Sequence, residues 1–129
     1  MLQPGIKAEK SLTVTDANTA KTMGSGTLDV FATPAMVALI EQTAYTSIES
    51  ELEPGWGSVG TSLNIQHLSA TPVGMTVTAT TELVEVDRRR LVFHAEVYDE
   101  KGLVGKGTHE RFLVENEKFQ AKADKKAQK

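Results

Sequence analysis

The stretch TPAMVALIEQTAYTSIESELEPGWGSVGTSLNIQH, residues 33–67, constrains this chain more than any other. It predicts one long helix, a glycine-rich turn and one strand. Thr33 suits the N-cap, and Pro34 suits the first helical position, where a missing N–H is no loss. Met36, Val37, Ile40, Ala44, Ile48 and Leu52 then recur at three- and four-residue steps and make one apolar stripe. At about 100° per residue, Glu41 falls within that stripe. Beyond the turn, Val59, Thr61, Leu63, Ile65 and His67 share one strand face, and Ser58, Gly60, Ser62, Asn64 and Gln66 share the other. A carboxylate and an imidazole are therefore predicted to face one apolar interior, where each loses water and needs a partner. An acid/base pair and a structural Glu–His hydrogen bond both fit, and spacing alone favours the second.

The remaining residues supply strands. Ile6 to Val14 alternates loosely and predicts the first. Residues 15–26, TDANTAKTMGSG, are small and polar, either a surface loop or the rim of a substrate entrance. Thr27–Phe31 predicts a short strand leading into the helix. Trp56, the only tryptophan, is expected over the helix end. From Met75 apolar residues alternate with threonines until Leu83, Val84 and Val86 break the period, which predicts a bulge. Asp87-Arg88-Arg89-Arg90 and Asp99-Glu100-Lys101-Gly102 read as turns, and the three arginines suit either a phosphate or a solvated hairpin tip. Leu91 to Tyr98 puts His94 on the polar face beside Glu96. Leu103 to Val114 puts His109 and Arg111 on one face with Gly105 and Gly107.

Residues 1–116 are thus expected to form one domain, and the lysine-rich residues 117–129 a frayed helix or disordered tail. The predicted class is α+β, one long central helix against a mainly antiparallel five-stranded sheet. One helix covers one sheet face and leaves edges open, so a homodimer, or a tetramer of dimers, is the expected assembly.

Composition narrows the chemistry. The chain has no cysteine, which excludes disulfides and thiol catalysis. A net charge of −3 offers nucleic acid no basic footprint. There is no metal-ligand spacing, no nucleotide-binding glycine loop and no Gly-x-Ser-x-Gly elbow. No apolar run approaches the roughly 18 residues of a membrane span, and no signal-peptide pattern opens the sequence. A cytoplasmic protein with no metal and no membrane contact is expected.

Several segments carry a resemblance. They are Ala32-Thr33-Pro34-Ala35-Met36-Val37, Glu41, Gly57-Ser58-Val59-Gly60-Thr61, His67-Leu68-Ser69-Ala70-Thr71-Pro72-Val73-Gly74 and His109-Glu110-Arg111. Together they resemble the hot-dog fold thioesterase superfamily, and within it the fluoroacetyl-CoA thioesterase type. The resemblance implies a homodimeric acyl-CoA thioesterase with no cofactor beyond the coenzyme A of its substrate. It places Thr33, Glu41 and His67 on the family's catalytic positions, and Gly60 and Arg111 on substrate-binding ones. In that role Glu41 would activate water or attack the thioester directly, His67 would hold Glu41 ionised, and Thr33 would orient substrate or water. Free N–H groups at the helix start or at Gly60 would bind the oxyanion. Two rivals are a hot-dog acyl-thioester hydratase or dehydratase, whose His-Phe-Pro-type motif is absent because Leu68-Ser69 follow His67, and a non-catalytic acyl-CoA-binding module. Fluoroacetyl-specific members also carry gating phenylalanines before the threonine. Residues 22–27, TMGSGT, have none and Phe31 is the nearest, so other acyl groups are expected.

One geometric constraint follows from spacing. On one helix, Thr33 and Glu41 are about 12 Å apart along the axis and about 80° apart around it. A site using both needs Thr33 to fold back before the helix or to meet Glu41 of a partner subunit, and the second is expected.

Overall fold

Five strands form one sheet in the computed structural model, which describes residues 2–128. They are β1 (Lys7–Thr13), β2 (Trp56–His67), β3 (Thr76–Asp87), β4 (Arg90–Asp99) and β5 (Gly102–Glu115), in the spatial order β1-β3-β4-β5-β2. Every neighbouring pair is antiparallel. Helix α2 (Thr33–Ile48) lies across one face, as the apolar stripe requires. Its buried residues are Ala35, Met36, Leu39, Ile40, Thr43, Ala44 and Ile48. They meet Val77, Ala79, Leu83, Leu91, Phe93, Ala95 and Val97 from β3 and β4 in two adjoining apolar clusters. A fully buried Ile, Leu or Phe contributes about 1.5–3 kcal/mol, so these contacts, more than helix propensity, hold α2 in place. Gly105 lets the helix seat closely, because a Cβ there would lie 2.6 Å from Met36 Sδ.

The expected fold class is present, with instructive differences in detail. The stripe runs through Leu39 and Thr43, which puts Glu41 on its flank with a side chain 37% exposed rather than in its centre. Ala32, not Thr33, is the N-cap, and it makes no side-chain capping bond. Thr33 is the first helical residue, which frees its hydroxyl for a tertiary contact. The segment predicted as a strand over Thr27–Phe31 forms only single bridges, Thr19 to Phe31 and Val30 to Pro72. The loop before it contains a one-turn helix, α1 (Ala20–Met23), capped by the Thr19 hydroxyl and ended by Gly24 at φ 75°.

Strand β2 departs most. The predicted two-residue alternation from Val59 to His67 is interrupted by a bulge between Gly60 and Ser62. Toward its end Leu63, Ile65 and His67 pair with His109, Gly107 and Gly105 on the helix side, as expected. Before the bulge the phase reverses. Gly60 pairs with Arg111 and Ser58 with Leu113, so Gly60 and Ser58 face α2 while Val59 and Thr61 turn away. The bulge predicted in β3 lies between Leu83 and Glu85.

The turns fall where composition put them, at Arg88-Arg89 and Glu100-Lys101. Two of the three arginines are engaged. Arg89 lies 4.9 Å over the Trp56 ring, and Arg90 pairs with Glu85 and Glu110. His94 is exposed on the polar face, as expected. The lysine-rich end forms α3 (Asn116–Asp124), which is ordered as a helix and buries no residue. No helix among the described residues is long and apolar enough to cross a membrane.

Candidate active site

The two ends of β2 carry two separate groups of polar side chains. At the C-terminal end, His67 Nδ1 lies 2.8 Å from the hydroxyl of Thr33, at the start of α2. Burial lowers the His67 pKa from 6.5, with the Ser69 backbone pulling weakly the other way, so the neutral ring is favoured. Its other nitrogen, Nε2, is buried and has no hydrogen-bond partner among the described residues. A buried polar atom left unpaired is uncommon and marks a place where a partner belongs. A hollow of about 320 Å³ opens beside the pair, with Ala20, Ser25, Val30 and Phe31 among its walls. The uncapped N-terminus of α2 starts here, with the N–H groups of its first turn and the positive end of its dipole.

At the other end, Glu41 leans over Gly60. A Cβ on Gly60 would lie 2.8 Å from Glu41 Oε2, 3.2 Å from His109 Cε1 and 3.5 Å from Arg111 Nη1. The missing side chain therefore leaves only a narrow gap, too small for a methyl group, bounded by a carboxylate, an imidazole and a guanidinium. Arg111 is only 6% exposed. Its Nε donates to Ser58 Oγ at 2.7 Å and its Nη2 to the Ser58 carbonyl at 2.8 Å. Its Nη1 is 3.9 Å from Glu41 Oε2, an ion pair too long for a hydrogen bond. The Tyr45 ring sits 5.7 Å from the guanidinium carbon. The charged partner of Glu41 within the protomer is Arg111.

The predicted Glu41–His67 pair is accordingly not formed within one protomer. From Gly60 to His67 the strand rises about 20 Å, more than either side chain spans. Thr33 does not fold back either, since it is already helical. Of the five residues singled out from sequence, Thr33 meets His67, and Glu41 meets Arg111 beside Gly60. The sequence did not reveal Ser58, His109 and Tyr45 as their supports. A glycine inside a strand was the available signal, since it marks a bulge or a close approach.

A larger hollow of about 960 Å³ lies on the opposite face of the sheet, between Lys7, Glu9, Glu82, His94, Glu96 and Lys106. None of the candidate residues lines it, and no His, Cys, Asp or Glu cluster suited to a metal ion occurs among the described residues.

The sequence profile of the fluoroacetyl-CoA-specific thioesterases matches residues 14–117. The fluoroacetyl-CoA thioesterase of Streptantibioticus cattleyicolor is 45% identical over 98 residues, 76% of this chain and 70% of that protein. A solved fluoroacetyl-CoA thioesterase superposes with a TM-score of 0.93 at 36% identity, covering 98% of each chain. A variant solved with acetyl-CoA gives 0.92 at 35% identity, covering 97% of this chain and 98% of that one.

Proposed function

The chain belongs to the fluoroacetyl-CoA-specific thioesterase family, and from that footing we propose that it hydrolyses an acyl-CoA thioester at a site shared between two subunits, with Thr33, Glu41 and His67 as its catalytic residues. The observation that carries this reading is the placement of two incomplete groups at opposite ends of one unguarded strand. β2 is an edge strand of 12 residues with no Pro, Lys, Arg, Asp or Glu to discourage pairing. Antiparallel pairing of β2 with β2 of a second copy, about a two-fold axis at Asn64 and with the bulged Thr61 left out of the ladder, would set Gly60 opposite the partner's His67. Glu41 and Arg111 of one protomer would then complete Thr33 and the unpaired His67 of the other.

The chemistry follows from the groups. Glu41 takes a proton from water as the oxygen adds to the thioester carbon, or its carboxylate adds directly and water opens the resulting anhydride. The developing oxyanion is held by N–H groups at the start of the partner's α2. Collapse breaks the C–S bond, and coenzyme A leaves as a stable thiolate that needs little acid help. Thr33, braced by His67, orients the carbonyl or the water. Gly60, lacking a side chain, lets Glu41 and the substrate approach the strand backbone closely, and Arg111 holds the Glu41 carboxylate in place. The reading places the protein in the cytoplasm as a homodimer.

The test measures thiol release from a panel of acyl-CoAs. Wild-type protein should release thiol, and Thr33→Ala, Glu41→Gln and His67→Ala should each be severely impaired. Wild-type-like hydrolysis by Glu41→Gln would overturn the catalytic assignment. Mixing Thr33→Ala with Glu41→Gln after subunit exchange should restore roughly a quarter of wild-type activity, since half the dimers are mixed and each holds one intact site. If mixing restores nothing, the shared site fails.

A further inference from the structure

Arg111 owes its orientation to His109, which also borders the gap at Gly60, its Cε1 3.2 Å from where a Cβ there would lie. His109 has no exposed surface and stacks against Phe93 at 6.2 Å between ring centres. Its Nδ1 is 3.0 Å from the Ser62 carbonyl, and its Nε2 is 3.1 Å from Arg111 Nη1. A carbonyl only accepts and a guanidinium only donates. Both contacts are hydrogen bonds only if the ring is neutral, donating from Nδ1 and accepting at Nε2. Burial lowers the His109 pKa from 6.5, and the Arg111 charge acts in the same direction, against the Ser62 carbonyl and Glu41. An imidazolium would turn an N–H toward the guanidinium and break the contact.

The fit is specific to one nitrogen. Ser58 takes the Nε and one Nη2 hydrogen of Arg111, and His109 takes one hydrogen of Nη1. Nη1 is also the atom beside Glu41 and the Gly60 gap. Fixing one of its two hydrogens fixes the direction of the other, because the guanidinium is planar. We propose that His109 is a positioning residue for thioester hydrolysis: its neutral imidazole locks Arg111 Nη1 so that the remaining N–H is aimed at the gap between Glu41 and Gly60. The proposal rests on the reading of Glu41 and Arg111 given above.

Two isosteric substitutions separate this role from a merely structural one. In His109→Gln the side-chain oxygen takes the place of Nε2 and can still accept from Arg111, while the donor to Ser62 is lost. In His109→Asn the amide takes the place of Nδ1 and still donates to the Ser62 carbonyl, while the acceptor for Arg111 is lost. The expected result is that His109→Gln keeps kcat within about threefold of wild type, and that His109→Asn loses about ten- to a hundredfold in kcat with KM little changed. The reverse order, or equal activity in both, would overturn the proposal and leave His109 as a prop for the β2 bulge. Glu41→Gln is run alongside: if it retains activity, the underlying site reading fails and this inference with it, whereas an inactive Glu41→Gln with a fully active His109→Asn condemns the His109 role alone. Wild-type protein carrying nitrogen-15 histidine gives an answer that needs no variant. Its His109 should be neutral with the proton on Nδ1 at neutral pH, and an Nε2–H tautomer or an imidazolium would refute the locking.

Discussion

Replacing Gly60 by alanine tests the gap directly. The new methyl carbon would stand 2.8 Å from Glu41 Oε2 and 3.2 Å from His109 Cε1. Ordinary contact begins near 3.5 Å, so the carboxylate must retreat by about 0.7 Å, and the imidazole contact must ease by about 0.3 Å. The imidazole is held at both nitrogens and stacked on Phe93, whereas the Glu41 side chain is 37% exposed. Glu41 therefore moves. Overpacking costs about 1–3 kcal/mol, and a partly exposed neighbour that can yield puts this case near the lower end, a drop of about 4 °C in melting temperature. The chemistry should suffer far more, because a misplacement approaching 1 Å costs about a hundredfold, and the methyl also blocks close approach to the strand backbone beside Glu41. The assay pairs thermal melts with kcat/KM on acyl-CoA. A folded Gly60→Ala protein with kcat/KM within threefold of wild type would refute the claim that this gap is where the reaction occurs.

Three further outcomes follow from particular side chains. Thr81 is 3% exposed and its hydroxyl has no partner among the described residues, so Thr81→Val should be neutral or stabilising by about 1 kcal/mol in a denaturant melt, and a clear loss of stability would show that the hydroxyl is satisfied. Burial holds both His67 and His109 below 6.5, so the unfolded chain protonates first as pH falls, and stability is complete above about pH 6.5 and declines below it. Around His109 the charges are Arg111 and Glu41, and His67 meets only Thr33 and the Ser69 backbone; melts at pH 7.5 and 5.5 should show a smaller acid loss in His109→Gln than in wild type, and an equal or larger loss would refute the assignment. The hollow beside His67 is walled by Ala20, Ser25 and Val30, with Phe31 only 1% exposed, so acetyl-CoA and longer acyl-CoAs should be hydrolysed at rates comparable to fluoroacetyl-CoA; a strong fluoroacetyl preference would show that another element forms a gate.

The fold was legible where one period ran unbroken. The stripe from Met36 to Ile48 sets α2 whatever surrounds it, and the alternation from Leu63 to His67 puts the imidazole on the helix side. The Thr33–His67 contact was not legible, because it joins residues 34 positions apart and depends on Ala32 taking the cap. The Glu41–Arg111 pair was hidden for a different reason. Simple alternation places Gly60 on the outer face, and only the extra residue at the bulge brings it under the helix. α1 was missed because four residues carry no periodic signal, and its cap and left-handed glycine are intelligible only once the chain on either side is fixed.

The bulge in β2 also bears on how this sheet finds its alignment during folding. β2 and β5 are long, and β5 is rich in small residues at Gly105 and Gly107, so a two-residue slide of one strand past the other would keep every side chain on its proper face. In a regular ladder such a slide is a plausible trap. Here the extra residue at Thr61 must sit where Gly60 and Ser62 flank the step from Arg111 to Glu110, with its own hydroxyl on the Glu110 carbonyl. A slid alignment would strand that insertion against an unbroken stretch of β5. Arg111 would also lose both hydrogen bonds to Ser58 while still buried, leaving two donors without acceptors. The same irregularity that opens space beside Glu41 thus acts as a notch, giving the two strands one position in which they mesh.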